Sequence, residues 1–176
     1  DIGAWVLNQV CGDYAAWQKE IADPGMVAIN LSLKELSQAS FIPHCRSVFE
    51  KHGVSPSRVE LEITETTLML DAERTLPLLD ELRAMGVHLS IDDFGTGYSS
   101  LSALQQFPIG TLKIDRSFVR NAATDPDDAT IVRTIIEMGR SLGLQVLAEG
   151  IETEEQRSFL LRSGCQFGQG RLFGHP

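Results

Sequence analysis

Cysteine is scarce in this chain of 176 residues, and the three present, Cys11, Cys45 and Cys165, are odd in number and show no CxxC spacing. A disulfide scaffold is excluded, and the four scattered histidines add no zinc spacing. A reducing cytoplasm is the simplest reading of the thiols, and Cys11 and Cys165 are expected to be small apolar fillers. Basic residues are also in deficit: fifteen Lys and Arg stand against twenty-four Asp and Glu, a formal charge of -9. That balance argues against a cationic surface that holds a nucleic-acid polymer by counterion release. A phosphodiester ligand, if there is one, must be small and met by metal ions or local charge. No apolar run approaches the roughly 20 residues needed to span a bilayer, and no charged leader with an apolar core stands at the start. Membrane contact by this segment is not expected, although a parent protein anchored in the inner membrane is compatible with it. No linker or low-complexity stretch divides the chain, so residues 1–176 read as one domain.

What is present is an alternation of short apolar segments with longer stretches of helical period. Strands are expected at Val27 to Leu31, Val59 to Ile63, Val87 to Ile91, Thr111 to Ile114 and Leu144 to Ala148, with a weaker one near Cys165 to Phe167. Helices are expected at Ala4 to Ile21, His44 to His52, Ala72 to Met85, Ser99 to Gln105, Ala129 to Leu142 and Thr153 to Leu161. Gly53, Gly86 and Gly143 sit where a left-handed C-cap favours glycine, Asp71 and Ser99 can act as N-caps, and Thr153 opens a capping box. Asn121 to Asp128 reads as a surface loop. Repeated βα units imply an α/β fold with a parallel sheet, closed into a barrel or open and doubly wound.

The strand ends favour the barrel. Asn30, Glu62 and Lys113 alternate with apolar neighbours, and Asp92 and Glu149 follow directly after Ile91 and Ala148. Side chains alternate along a strand, so with the apolar residues facing the helices these polar ones point to a shared interior and converge at one rim. Clustered carboxylates repel one another and take up protons unless a cation compensates them. Oxygen ligands of this kind suit hard Mg²⁺ or Mn²⁺. The pair Asp92-Asp93, placed where the strand is expected to stop, permits one carboxylate to bridge two ions about 3.5 to 4 Å apart, the spacing used in phosphodiester cleavage. Lys113 could neutralise developing charge or hold the attacking water, with Asp115 orienting it. Each residue alone has a plainer reading: Asp-Asp before Gly as a solvated turn, Glu60 and Glu62 as an exposed strand face, Lys113 as a surface lysine. Recurrence at five strand ends is what weakens those readings. His44, His52, His88 and His175 are expected to be structural or exposed.

The runs Ile29-Asn30-Leu31-Ser32, Glu62-Ile63-Thr64-Glu65, Asp92-Asp93-Phe94-Gly95-Thr96-Gly97-Tyr98-Ser99-Ser100, Leu112-Lys113-Ile114-Asp115, Ala148-Glu149-Gly150-Ile151-Glu152 and Gln169-Gly170 together resemble the successive signatures of EAL domains, in order and over nearly the whole chain. The resemblance implies a modified TIM (β/α)₈ barrel that hydrolyses cyclic di-GMP to linear pGpG with two Mg²⁺ or Mn²⁺ ions per site. By the same resemblance Asn30, Glu62 and Asp92 hold the first metal, and Asp92, Asp93 and Glu149 the second. Lys113 positions the attacking water, Glu149 helps to activate it, and Asp115 supports that network. Gln169 lies near the water, Glu65 steadies the loop after Asp93, and Glu152 is a supporting residue without an assigned role.

Two departures stand out. Arg171 follows Gln169-Gly170 where the family often has an aromatic residue, which is expected to alter packing rather than chemistry. The family's Glu-x-Leu strand, expected upstream of the segment beginning Asp1-Ile2-Gly3, has no equivalent here, since Glu35-Leu36 and Glu81-Leu82 fall in helical segments. The chain is therefore expected to be a partial EAL domain, impaired on its own and active within a parent that carries sensory or diguanylate cyclase domains and can form a homodimer. Two other readings compete: a non-catalytic cyclic di-GMP receptor or signalling module, and a metal-dependent barrel enzyme for another substrate. Receptors of this fold commonly lose metal ligands or the lysine, so retention of Glu62, Asp92, Asp93, Lys113 and Glu149 favours the enzyme.

Overall fold

A computed structural model describes residues 2–70, 72–97 and 104–175, which gather into two compact units. The first holds the described residues of Asp1–Ile63, Thr67–Leu89 and Gln106–Pro108; the second holds those of Thr64–Thr66, Ser90–Gln105 and Ile109–Pro176. No helix among the described residues is long and apolar enough to cross a membrane.

In the first unit, α1 (Ile2–Glu20) buries Leu7, Cys11 and Tyr14, a stripe at helical spacing, and α3 (Phe41–His52) buries Ile42, Cys45, Val48 and Phe49. The two helices pack together. Burying each large apolar side chain contributes about 1.5 to 3 kcal/mol. Strands β1 (Val27–Asn30) and β2 (Val59–Thr64) run parallel, with Val27 opposite Val59 and Asn30 opposite Glu62. Between them lies α2 (Leu33–Leu36), opened by a Ser32 and Glu35 capping box. The helix expected from His44 starts earlier, at Phe41, because Pro43 falls in the first turn, where its missing N–H has no intrahelical partner to lose. It ends at Gly53, whose φ of +67° is the left-handed cap conformation. A 3₁₀ turn at Pro56–Arg58 leads into β2, and α4 (Glu65–Leu70) and α5 (Ala72–Ala84) follow it.

In the second unit, β3 (His88–Phe94) continues from the first and pairs in parallel with β4 (Thr111–Ile114). Strand β5 (Gln145–Ala148) pairs with β4, and β6 (Phe167–Gly168) with β5, again in parallel. Leu112, Ile114, Val146 and Ala148 form the buried alternate set. Helix α6 (Arg116–Asn121) follows β4, and α7 (Pro126–Ser141) lies closely against β5: a Cβ added to Gly139 would stand 2.3 Å from Val146. The stretch read as loop from Asn121 to Asp128 is thus partly helical, since Asp125 caps α7 through the amides of Asp127 and Asp128 and Pro126 opens the first turn. Helix α8 (Glu154–Arg162) starts from the expected Thr153 capping box, completed by Gln156.

Three helices were not anticipated, α2, α4 and α6, because one to two turns are too few for periodicity to register. The weak strand near Cys165 to Phe167 is shifted to Phe167–Gly168. The proposed caps Asp71 and Ser99 and most of the helix from Ser99 lie outside the described residues.

All three cysteines are buried. Burial pushes the Cys11 thiol up to about 11 and, with Cys11 beside it, Cys45 to about 12; burial likewise raises Cys165. The thiolate is the reactive form. At pH 8 the native chain should therefore leave all three thiols unlabelled by an aromatic disulfide reagent, whereas the guanidinium-unfolded chain should release three equivalents. Rapid native labelling of any one would show that its burial is wrong.

Candidate active site

The second unit carries the site, and a strand irregularity creates it. Ile91 lies opposite Leu112 and Phe94 opposite Ile114, so three steps on β3 match two on β4. This is a β-bulge, and it breaks strict side-chain alternation. Strand β3 therefore does not stop at Ile91 as expected but runs on to Phe94, and Asp93 takes a left-handed φ of +53°. That conformation costs most L residues about 1 to 2 kcal/mol, and Asp is one of the few that tolerate it. The bulge lets two consecutive carboxylates serve one place: oxygens of Asp92, Asp93 and Glu149 all lie within 4.8 Å of one another.

Lys113, in the middle of β4, is only 3% exposed. Its Nζ stands 3.2 Å from Asp92 Oδ1 and 2.5 Å from Glu149 Oε1, whose side chains are 14% and 15% exposed. Asp92 Oδ1 is buried and accepts no hydrogen bond among the described residues, so its contact with Lys113 is electrostatic rather than directional. One ammonium against three carboxylates leaves the cluster net negative. An oxygen-only donor set with a buried, weakly satisfied carboxylate oxygen fits a hard divalent cation.

Asp115 is the N-cap of α6, accepting from the Ser117 amide at 2.8 Å and from the Ser117 hydroxyl. Burial alone would raise its pKa, but these two bonds and one from Asp93 together hold it below the usual carboxylate value. Asp93 is pushed the other way, by burial first, then by its hydrogen bond to Asp115 and by repulsion from Asp92 and Asp115, with Lys113 opposing. Their shared hydrogen bond thus moves the two groups in opposite directions, Asp93 up and Asp115 down. Ser117 was missed at the sequence level. Its signal was the Asp115-Arg116-Ser117 spacing, a helix N-cap pattern.

Gln169 donates from Nε2 to Glu149 Oε1 at 2.7 Å, fixing the rotamer of that carboxylate. Glu65, 2% exposed at the first position of α4, accepts from the amides of Gly95 at 2.9 Å and Gly97 at 3.3 Å. The turn can approach so closely only because those residues lack side chains: a Cβ on Gly97 would stand 2.9 Å from Glu65 Oε1, and one on Gly95 2.8 Å from Phe118. Glu65→Ala would leave two amides without their charged acceptor. Exchange of the Gly95 and Gly97 amide protons should rise by about tenfold or more, since each such bond contributes about 1.5 to 3 kcal/mol. Unchanged protection would mean that the turn is held by something else.

Glu152 does not join the acidic cluster. Its amide caps against Gln156 Oε1 at 2.7 Å, and its exposed side chain lines a separate cavity of about 560 Å³. Asn30 and Glu62 are neighbours in register in the first unit, Asn30 exposed and Glu62 half-buried. The expected histidine roles agree with the contacts: His44 meets the Ala4 carbonyl and His52 meets Asn8 Oδ1, while His88 and His175 are exposed.

The EAL domain family model matches residues 1–176. The bifunctional diguanylate cyclase/cyclic di-GMP phosphodiesterase MucR of Pseudomonas aeruginosa is 46% identical over 175 residues, which are 99% of this chain and 26% of MucR. The cyclic di-GMP phosphodiesterase NbdA of the same organism is 42% identical over 172 residues, 98% of this chain and 22% of NbdA. The chain therefore spans about a quarter of the length of these curated relatives. Among solved structures, a PaMucR phosphodiesterase c-di-GMP complex matches with a TM-score of 0.95 at 46% identity, covering 99% of this chain and 71% of that one. The manganese and cyclic di-GMP complex of Klebsiella pneumoniae BlrP1 matches at 0.86 and 31% identity, covering 97% and 44%.

Proposed function

Because this chain belongs to the EAL domain family, an α/β fold of the modified TIM-barrel type, we propose that it is the hydrolytic part of a cyclic di-GMP phosphodiesterase producing linear pGpG. The observation that carries the reading is Lys113, buried between Asp92 and Glu149 with Asp93 beside them. The phosphodiesterase descriptions of MucR and NbdA support the substrate, and the manganese complex of BlrP1 supports the ion class.

Asp92, Asp93 and Glu149 are the proposed ligands in the second unit, with Asp92 the bridging carboxylate. Asn30 and Glu62 are proposed as ligands on motif alone. Two Mg²⁺ or Mn²⁺ ions, when bound, supply the positive charge that clamps the phosphate and acidifies water. Lys113 contributes a fixed ammonium where negative charge grows on the phosphate oxygens and holds the attacking water. Gln169 keeps Glu149 oriented, Asp115 fixes Asp93, and Glu65 holds the turn that follows Asp93. Glu152 has no place among these contacts. MucR joins cyclase and phosphodiesterase activities in one protein, which supports action beside a diguanylate cyclase domain; we also propose a cytoplasmic site of action and a homodimer.

The test is incubation of the intact parent protein with cyclic di-GMP and Mn²⁺ or Mg²⁺, with pGpG separated by chromatography. Cleavage abolished by EDTA is expected. Tight binding with no cleavage in either ion would make the protein a receptor.

A further inference from the structure

The cavity beside Glu152 has a charge that the chain as a whole does not. In a protein of net charge -9, its lining residues include three arginines, Arg116, Arg120 and Arg171, against one acidic residue, Glu152. Arg120 and Arg171 form no ion pair with a carboxylate among the described residues, whereas Arg46, Arg58, Arg140 and Arg157 all do. Arg171 is shared with an adjoining cavity of about 720 Å³ that also includes Gln169, the side chain bound to Glu149.

The backbone under Arg171 is held on both sides. Ile151 N–H donates to the Gln169 carbonyl at 3.0 Å, and Leu172 N–H donates to the Ile151 carbonyl at 3.0 Å. Between these bonds Gly170 lies so close that a Cβ would stand 2.2 Å from the Ile151 oxygen. Arg171 therefore projects from a fixed point while its side chain stays exposed. Resting on the proposed cyclic di-GMP hydrolysis, we infer that Arg171 determines purine specificity by donating its guanidinium fork to the O6 and N7 edge of one guanine of the substrate. The fork matches two adjacent acceptors, and Glu152 on the same cavity suits the N–H donors that guanine presents on its other edge. A free phosphate fits less well, because Glu152 would repel it. Adenine carries an amino donor where guanine has O6, so the fork meets a donor instead of an acceptor. The departure at Arg171 thus bears on recognition rather than on packing alone.

The experiment measures hydrolysis and equilibrium binding of cyclic di-GMP and cyclic di-AMP by the wild type, Arg171→Ala and Arg171→Lys. Arg171→Ala should raise KM and Kd for cyclic di-GMP by about 10- to 100-fold, leave those for cyclic di-AMP within about twofold, and change kcat little. Arg171→Lys should not restore selectivity, because a point charge does not reproduce the fork. Equal losses for both purines, full rescue by Lys, or no loss at all would overturn the inference. The binding arm is independent of turnover. Purine-selective loss of affinity in a protein that does not cleave supports the role of Arg171 while refuting the proposed reaction, and a wild type that binds neither dinucleotide refutes both.

Discussion

Asp92→Asn is expected to lower kcat on cyclic di-GMP by about 1,000-fold or more, with metal-dependent turnover effectively lost. The bulge in β3 puts this carboxylate within 4.8 Å of both Asp93 and Glu149 and 3.2 Å from Lys113, so as the proposed bridge it contributes charge to two ions at once. Each 1.36 kcal/mol of lost transition-state stabilisation is about tenfold in rate, and a two-metal clamp supplies several kcal/mol. The substitution nearly preserves volume and leaves Lys113 paired with Glu149, so the metal-free fold should survive it. A thermal melt distinguishes the two effects. Mn²⁺ should raise the melting temperature of the wild type by binding the native state, and should raise that of Asp92→Asn far less. Near-normal activity with normal metal stabilisation would show that Asp92 is not the bridge.

Lys113→Ala should lower kcat by about 100- to 1,000-fold while changing KM little, because the ammonium is proposed to act at the water and the developing charge rather than on the bases. Unlike Asp92→Asn, it should also destabilise the metal-free protein. Lys113 is the buried cation between Asp92 and Glu149, and removing one partner of such a group leaves uncompensated charge, at a cost of about 3 to 5 kcal/mol. Mn²⁺ should restore much of that stability by replacing the missing charge, without restoring turnover. Lys113→Met keeps the apolar stem and should behave in the same way, which separates charge from packing. A fall in substrate affinity with kcat maintained would make Lys113 a ground-state phosphate contact instead.

The parallel α/β plan is legible in the sequence, because strand and helix periods alternate cleanly and Gly53, Gly86 and Gly143 stand at helix ends, where the structure gives them φ of +67°, +97° and +71°. The choice of a barrel followed from polar residues recurring beside apolar ones at the strand ends, and the TM-score of 0.95 to an EAL phosphodiesterase bears out the fold. Residue types suited to a divalent cation were equally plain, since only oxygen ligands recur at those positions. All of this is local information: spacing, side-chain chemistry and cap residues act within a few positions of one another.

What lay beyond the sequence depended on register and burial. Nothing in Ser-Ile-Asp-Asp-Phe announces that β3 slips one residue against β4; the bulge arises from how two strands pair, and it alone lets Asp92 and Asp93 serve one cluster. Strand alternation already aims Lys113 at the interior rim, but its near-complete burial and its ion pairs with Asp92 and Glu149 come from the parallel pairing of β4 with β3 and β5. Arg116 and Arg171 are fifty-five positions apart in number, yet line one cavity because Gly150 packs against Arg116 while the next residue, Ile151, is hydrogen-bonded to Gln169 and Leu172. Local propensity decides which elements form and which side chains they carry. Pairing across distant segments decides which of those side chains share a low-dielectric space, where charge has its largest effect.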